Sequence, residues 1–185
     1  MNKTFLCAAI IAAASSAAPS AFAADGRVTL NGSINAVTCT VRGGAGTDGS
    51  DNNFTVTMDS APQSQLAVAG ATAGDTPFSV VIGGPGEVGC TNGKIVKLEF
   101  DAAASPVDSM YGRLRNDSGT AQNVLVGLLD GAGNTIDLRN NANTPTATIA
   151  GNTATLNFVA QYYTKIVAAT AGTVRTYAMY SIEYN

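Results

Sequence analysis

The amino-acid sequence predicts an all-β sandwich, on three observations. Apolar and polar residues alternate with period two over most of the chain. The alternating runs are short and are separated by Gly-, Asn-, Asp- and Pro-rich breaks. Beyond the N-terminal leader, no segment longer than a turn or two carries an apolar stripe at helical spacing. Many short strands joined by turns bury their apolar faces best as packed sheets.

The leader is read first. Lys3 supplies a positive start, and Phe5 to Ala18 is an apolar run interrupted only by Cys7, Ser15 and Ser16. Ala21-Phe22-Ala23 gives the small-x-small cleavage site of a secretory signal. The run is short of the roughly 20 apolar residues that a membrane span needs. Cys7 lies before the apolar run rather than after it, which argues against a lipoprotein. The 185 residues therefore divide into a cleaved signal 1–23, an extension 24–38 and one domain 39–185.

The strands follow in order. Arg27 to Ile34 alternates clearly, and Val37 to Val41 forms a second run around Cys39. Gly43 to Asn53 is rich in Gly, Asp, Ser and Asn and is expected to be a mobile loop. Phe54 to Met58 is strand-like, Ser60 to Thr76 irregular, and Phe78 to Ile82 a strand closed by Gly83-Gly84-Pro85-Gly86. Lys94 to Phe100 alternates again. Tyr111 to Arg115 is a short candidate. Asn123 to Leu129 is a stronger one, turned by Asp130-Gly131-Ala132-Gly133-Asn134 toward Thr135 to Leu138. Asn140 to Pro145 reads as a loop, and Thr153 to Tyr163 and Thr173 to Tyr184 as the two long closing strands.

Cleavage leaves two cysteines, Cys39 and Cys90. In an exported chain an even pair points to a disulfide rather than to two reduced buried thiols. Such a bond would close a loop of about 50 residues and stabilise by roughly 4 kcal/mol in the chain-entropy account. The net charge is −3, with 12% charged residues and no basic cluster, so nucleic acid is not an expected partner. Sparse charge on a chain rich in Ala, Gly, Thr, Val and Asn suits a protein largely buried in an assembly. Histidine is absent, so no Ser-His-Asp triad, Cys-His pair or His-ligated zinc can be built. No enzyme, metal site or cofactor is expected.

The extension carries the sharpest pattern. Val28, Leu30, Gly32 and Ile34 share one face of an extended strand, with Arg27, Thr29, Asn31, Ser33 and Asn35 on the other. Burying the Val, Leu and Ile side chains would contribute about 1.5–3 kcal/mol each. Gly32 leaves room for a close backbone approach. By periodicity alone, this run could equally be the first strand of the domain's own sheet.

Val28-Thr29-Leu30-Asn31-Gly32-Ser33-Ile34 followed by Cys39 resembles the N-terminal extension of chaperone–usher pilins of the type 1 kind. The other end resembles them too. Tyr184 is penultimate, and Gly172 lies fourteen positions from the end, counting Asn185 as the first. Asn123-Val124-Leu125-Val126-Gly127-Leu128-Leu129-Asp130 and Phe158-Val159-Ala160-Gln161-Tyr162-Tyr163 are similar to strands of that family.

The resemblance implies an incomplete immunoglobulin-like β-sandwich that lacks its seventh strand, in a major fimbrial subunit exported through the periplasm to the cell surface. The donor would be about Asp25 to Ala36, with Val28, Leu30, Gly32 and Ile34 entering a neighbour's groove by donor-strand exchange. Gly172, Ala178, Tyr180, Ile182 and Tyr184 would belong to one groove wall. That wall would first pair with a periplasmic chaperone, whose basic residues take the carboxylate of Asn185. The implied partners are other pilin subunits, the chaperone, an outer-membrane usher, and a host receptor reached through a tip adhesin. Donor and groove are different patches, so a head-to-tail homopolymer extends rather than closes. A minor tip or adaptor pilin shares every one of these motifs and is the alternative, together with a carbohydrate-binding β-sandwich module. No added lectin domain is present, which favours the shaft.

Weaker motifs have plainer explanations. Gly83-Gly84-Pro85-Gly86 lacks the Lys-Ser/Thr of a phosphate loop and reads as a turn. Asp48, Asp51, Asp130 and Asp137 lack calcium-loop spacing and read as solvated turn carboxylates. Asn31, Asn53 and Asn116 head glycosylation sequons expected by chance at this composition. Alternation sends one of Tyr162 and Tyr163 inward and the other outward, so one reads as core rather than a sugar platform.

Overall fold

The computed structural model describes residues 39–185. The leader, the extension and the donor face of Val28, Leu30, Gly32 and Ile34 lie outside the described residues.

Among the described residues, nine strands form two antiparallel sheets. They are β1 (Val41–Gly43), β2 (Thr72–Gly83), β3 (Ile95–Phe100), β4 (Leu114–Arg115), β5 (Val124–Asp130), β6 (Thr135–Ile136), β7 (Thr146–Thr148), β8 (Thr153–Thr164) and β9 (Tyr180–Tyr184). The larger sheet runs β1-β2-β8-β5-β4, with β6 beside β5; the smaller runs β7-β3-β9. The one helical element among the described residues is a short 3-10 turn, Gln63–Leu66.

The alternation that predicted strands also builds the core. On β8, Ala154, Leu156, Phe158 and Ala160 are buried, while Thr155 and Asn157 face out. Phe158 stacks on its cross-strand partner Phe78 at 5.3 Å and meets Phe100 of the opposite sheet edge-on at 6.1 Å. Val80, Ile82, Val96, Leu98, Val126, Leu128 and Leu156 fill the rest of the space between the sheets. Cys39 and Cys90 are both buried and are joined by a disulfide, with Cα atoms 4.7 Å apart.

Several boundaries differ from the sequence reading. β2 begins at Thr72, inside the stretch read as irregular. β7 was not expected; its three residues, Thr-Ala-Thr, carry no apolar alternation and are held by β3. The expected mobile loop Gly43 to Asn53 is tied down. Gly44 N–H donates to Ser79 O and Ser79 N–H to Ala45 O, both at 2.8 Å. Gly46 makes this possible: its φ is +76°, and a side chain there would collide with the Pro77 carbonyl. Tyr162 turns toward the core, whereas Tyr163 carries the Arg113 guanidinium 4.0 Å above its ring.

Candidate docking groove

Thr173 to Tyr184 was read as one long strand, but only Tyr180–Tyr184 is laddered. The preceding residues keep the alternation. Val174, Thr176, Ala178, Tyr180 and Ile182 are half-buried, while Thr173, Arg175, Tyr177, Met179 and Ser181 are exposed. The inward residues Val174, Ala178, Tyr180, Ile182 and Tyr184 pack against the main core.

Backbone hydrogen bonds divide along the same parity. Ala121 N–H donates to Thr173 O at 3.0 Å, Asp117 N–H to Arg175 O at 2.8 Å, and Asp101 N–H to Met179 O at 2.9 Å. Arg175 N–H reaches Asn116 Oδ1 at 2.8 Å and Met179 N–H reaches Ser105 Oγ at 2.9 Å. Asn185 and Ile95 exchange both of their backbone bonds. Thr173, Arg175, Met179 and the odd-numbered residues of β9 therefore bond into the body, and β9 pairs with β3 alone at the edge of its sheet. Successive residues of an extended chain aim their N–H and C=O to opposite sides. Val174, Thr176, Ala178, Tyr180, Ile182 and Tyr184 thus aim theirs outward, where no backbone partner stands among the described residues.

A second lip has the same construction. Phe54, Val56 and Met58 are half-buried, and Asn53, Thr55, Thr57 and Asp59 are exposed. Thr55 exchanges bonds with Asp48: its carbonyl accepts from Asp48 N–H, and its N–H donates to Asp48 Oδ1, both at 3.0 Å. Asp59 N–H donates to Thr76 Oγ1 at 2.9 Å. The backbone groups of Phe54, Val56 and Met58 have no hydrogen-bond partner among the described residues. The sequence had marked 54–58 as strand-like without connecting it to the groove. The signal was the alternation it shares with the C-terminal segment.

The lips converge at one end, where the Phe54 and Tyr180 rings lie 6.0 Å apart and the Tyr180 hydroxyl donates to Asn52 O at 2.6 Å. At the other end Met58, Leu66, Ala121, Val124, Tyr162 and Val174 line a cavity of about 390 Å³. Burial pushes the Tyr162, Tyr180 and Tyr184 phenols above their ordinary value, so each stays neutral at physiological pH. Thr176 Oγ1, also missed in the sequence, is buried and has no hydrogen-bond partner among the described residues.

The C-terminal residues named from the sequence each have a place. The Tyr184 hydroxyl accepts from Cys39 N–H at 3.0 Å, which ties the end of β9 to the disulfide. Gly172 lies where any Cβ would sit 2.6 Å from both Ala121 N and Thr120 Oγ1, so glycine is required for that close approach. Ala178, Tyr180 and Ile182 supply inward side chains. Asn185 closes the ladder with Ile95. No group of three or more His, Cys, Asp or Glu suited to a metal is present among the described residues.

Chemically, these are two unpaired strand edges flanking an apolar floor. Such a site takes an extended segment whose alternate side chains are apolar.

Known proteins resemble this chain in sequence and in fold. The family described as "Fimbrial protein" matches residues 28–185. The chain is 33% identical to the major fimbrial subunit SMF-1 of Stenotrophomonas maltophilia strain K279a, over 91% of this chain and 98% of that one. It is 32% identical to the minor fimbrial subunit HifD of Haemophilus influenzae, over 89% of this chain and 76% of that one. In fold it is similar to the P pilus rod subunit PapA, with a TM-score of 0.52 at 17% identity, over 72% of this chain and 93% of that one. The chain belongs to the fimbrial protein family, and its fold is the immunoglobulin-like sandwich of pilin subunits.

Proposed function

We propose that this chain is a structural subunit of a surface fimbria, and that its groove takes residues 25–36 of a neighbouring copy as the missing strand. One observation carries the reading. Two facing segments, 54–58 and 174–184, each combine half-buried inward side chains with unpaired outward backbone groups. A strand entering between them, with the Tyr180 hydroxyl released from Asn52 O, would pair with each exposed edge at the usual ~4.8 Å spacing. Val28, Leu30 and Ile34 would add about 1.5–3 kcal/mol each as they leave water. Assembly then needs no catalytic residue, because completing a fold drives it. Before assembly, the exposed lips need a protective strand, the role of a periplasmic chaperone, with an usher at the outer membrane.

The test is deletion of residues 25–36. The shortened subunit should bind chaperone and receive a strand but should donate none, which would stop growth. Fibres of normal length from the deletion strain would defeat the proposal. The likeness to HifD favours a second reading, a minor or tip subunit. Immunogold along the whole filament supports the shaft role, and labelling at the end alone supports the minor one.

A further inference from the structure

We propose that exposed aliphatic residues at opposite poles of the sandwich, Val88 at one and Val68, Ile166 and Val167 at the other, pack against each other between consecutive copies of this chain. This inference rests on the strand-donation reading and adds a second, body-to-body contact to it.

The two poles are fixed by topology. β2 and β8 pair from Thr72↔Tyr163 to Gly83↔Thr153, with one bulge between Ala73 and Thr76. Twelve residues at about 3.3 Å each separate the ends by roughly 40 Å. Beyond Gly83 lies the turn bearing Val88, which is 93% exposed. The start of the domain is tied to this pole: Gly83 N–H donates to Thr40 O, and Thr40 N–H and Oγ1 donate to the Glu87 carboxylate at 2.6 and 2.8 Å. Cys39, the first described residue, therefore stands at the Val88 pole.

At the opposite pole the loops before β2 and after β8 are bonded together, through Gly70 N–H to Thr164 O and Ala169 N–H to Leu66 O. They hold out Val68 and Ile166, each 67% exposed, and Val167, 54% exposed. Leu66 and Ala169 of the same loops line the end of the groove, so this aliphatic patch runs on from the groove. Lys165, beside the patch, is paired with Asp108 at 2.9 Å, and Glu87, beside Val88, is held by Thr40. Lys165 and Glu87, the charged residues next to the two patches in sequence, are thus engaged within their own subunit, and Arg42 is a further charge at the Val88 pole, near Gly84.

The linker decides what meets what. Only five peptide steps separate Ile34 from Cys39, a reach of at most about 18 Å. A donated strand therefore keeps the donor's Val88 pole close to one end of the acceptor's groove. In sequence, each subunit's own extension is attached through Cys39. A filament that extends without folding back on itself receives the incoming body at the other end, beside Val68, Ile166 and Val167. Isolated exposed aliphatics are ordinary. These occupy the two surfaces that the linker brings together.

The test uses filaments assembled from the full-length chain, carrying Val88→Lys, Ile166→Asp, or both. Both positions are exposed, so folding should be unaffected. Dissociation in denaturant should be several-fold faster for each single variant, and the double variant should recover most of the loss. Hydrogen exchange at the Val174 and Ala178 amides, which reads strand insertion separately, should stay slow in all four filaments. Single variants that dissociate at the wild-type rate, or a double variant whose loss is additive, would overturn the inference while strand donation stands. Rapid exchange at those amides in the unmodified filament would remove both.

Discussion

Replacing Cys39 and Cys90 together with alanine should lower the stability of the folded domain by about 4 kcal/mol. The bond spans a sequence separation of 51. Loop-closure entropy for that length is about 14 cal/mol/K, which is roughly 4 kcal/mol at 25 °C. Domains of this kind are stable by only about 5–15 kcal/mol, so the loss is a large share of the total. The assay is equilibrium urea unfolding of the mature chain, oxidised, reduced, and as the double variant. With a slope of about 1–3 kcal/mol/M, the midpoint should fall by roughly 1.5–4 M, equally for reduction and for the double substitution. Tyr184→Phe serves as a control. It removes the acceptor for Cys39 N–H but leaves the covalent link, and should cost only about 1–2 kcal/mol. A midpoint that moves by less than about 0.5 M on losing the disulfide would refute the reasoning. It would mean that the ends are held as well by packing alone.

Four further outcomes follow from the same structure. Phe158→Ala removes the ring between Phe78 and Phe100 and should destabilise by about 3–5 kcal/mol in the same unfolding assay. Gly172→Ala forces a methyl group against the Ala121 backbone and should cost about 1–3 kcal/mol, read as a lower melting temperature. Thr176→Val removes a buried hydroxyl with no partner among the described residues and should raise the urea midpoint, by about 1 kcal/mol in stability. Asp108 supplies a pH dependence. Burial alone would raise its pKa, but the hydrogen bond from Lys165 and the N–H groups of Met110 and Tyr111 outweigh burial and hold it below the ordinary 3.8. The stability it contributes is therefore whole above that value and is lost as the pH falls below it. Asp108→Asn should flatten the acid limb of a melting-temperature profile, and an unchanged limb would contradict the assignment.

Much of this architecture was legible in the sequence because period two is a direct readout of a half-buried strand. Thr153 to Tyr163 alternates and forms β8 almost as expected. Asp130 to Asn134 supplies the turn that pairs β5 with β6. β7 was invisible because Thr146–Thr148 is held by its neighbour and not by an apolar face of its own. The loop 43–53 looked mobile because its composition is polar and Gly-rich. Its order comes from contacts with β2, distant in sequence. The groove was half legible. The C-terminal wall was named from its parity and from a family signature, and of those residues Ala178, Tyr180, Ile182 and Tyr184 have side chains packed against the core. The facing lip at Phe54, Val56 and Met58 was seen as strand-like only. Alternation tells which side chains turn inward, not which chain will pair with the exposed backbone. The same limit explains why 173–179 was read as a finished strand, although its outward N–H and C=O groups have no partner among the described residues.

The most direct measurement is residue-resolved amide hydrogen exchange at Val56, Met58, Val174, Thr176 and Ala178. It would compare assembled fibres with a chaperone-released subunit lacking residues 25–36. Incoming strand bonds should slow these five amides together on assembly, while Thr55 and Arg175, already bonded within the subunit, change little. Fibres in which the five exchange as quickly as in the shortened subunit would contradict the account.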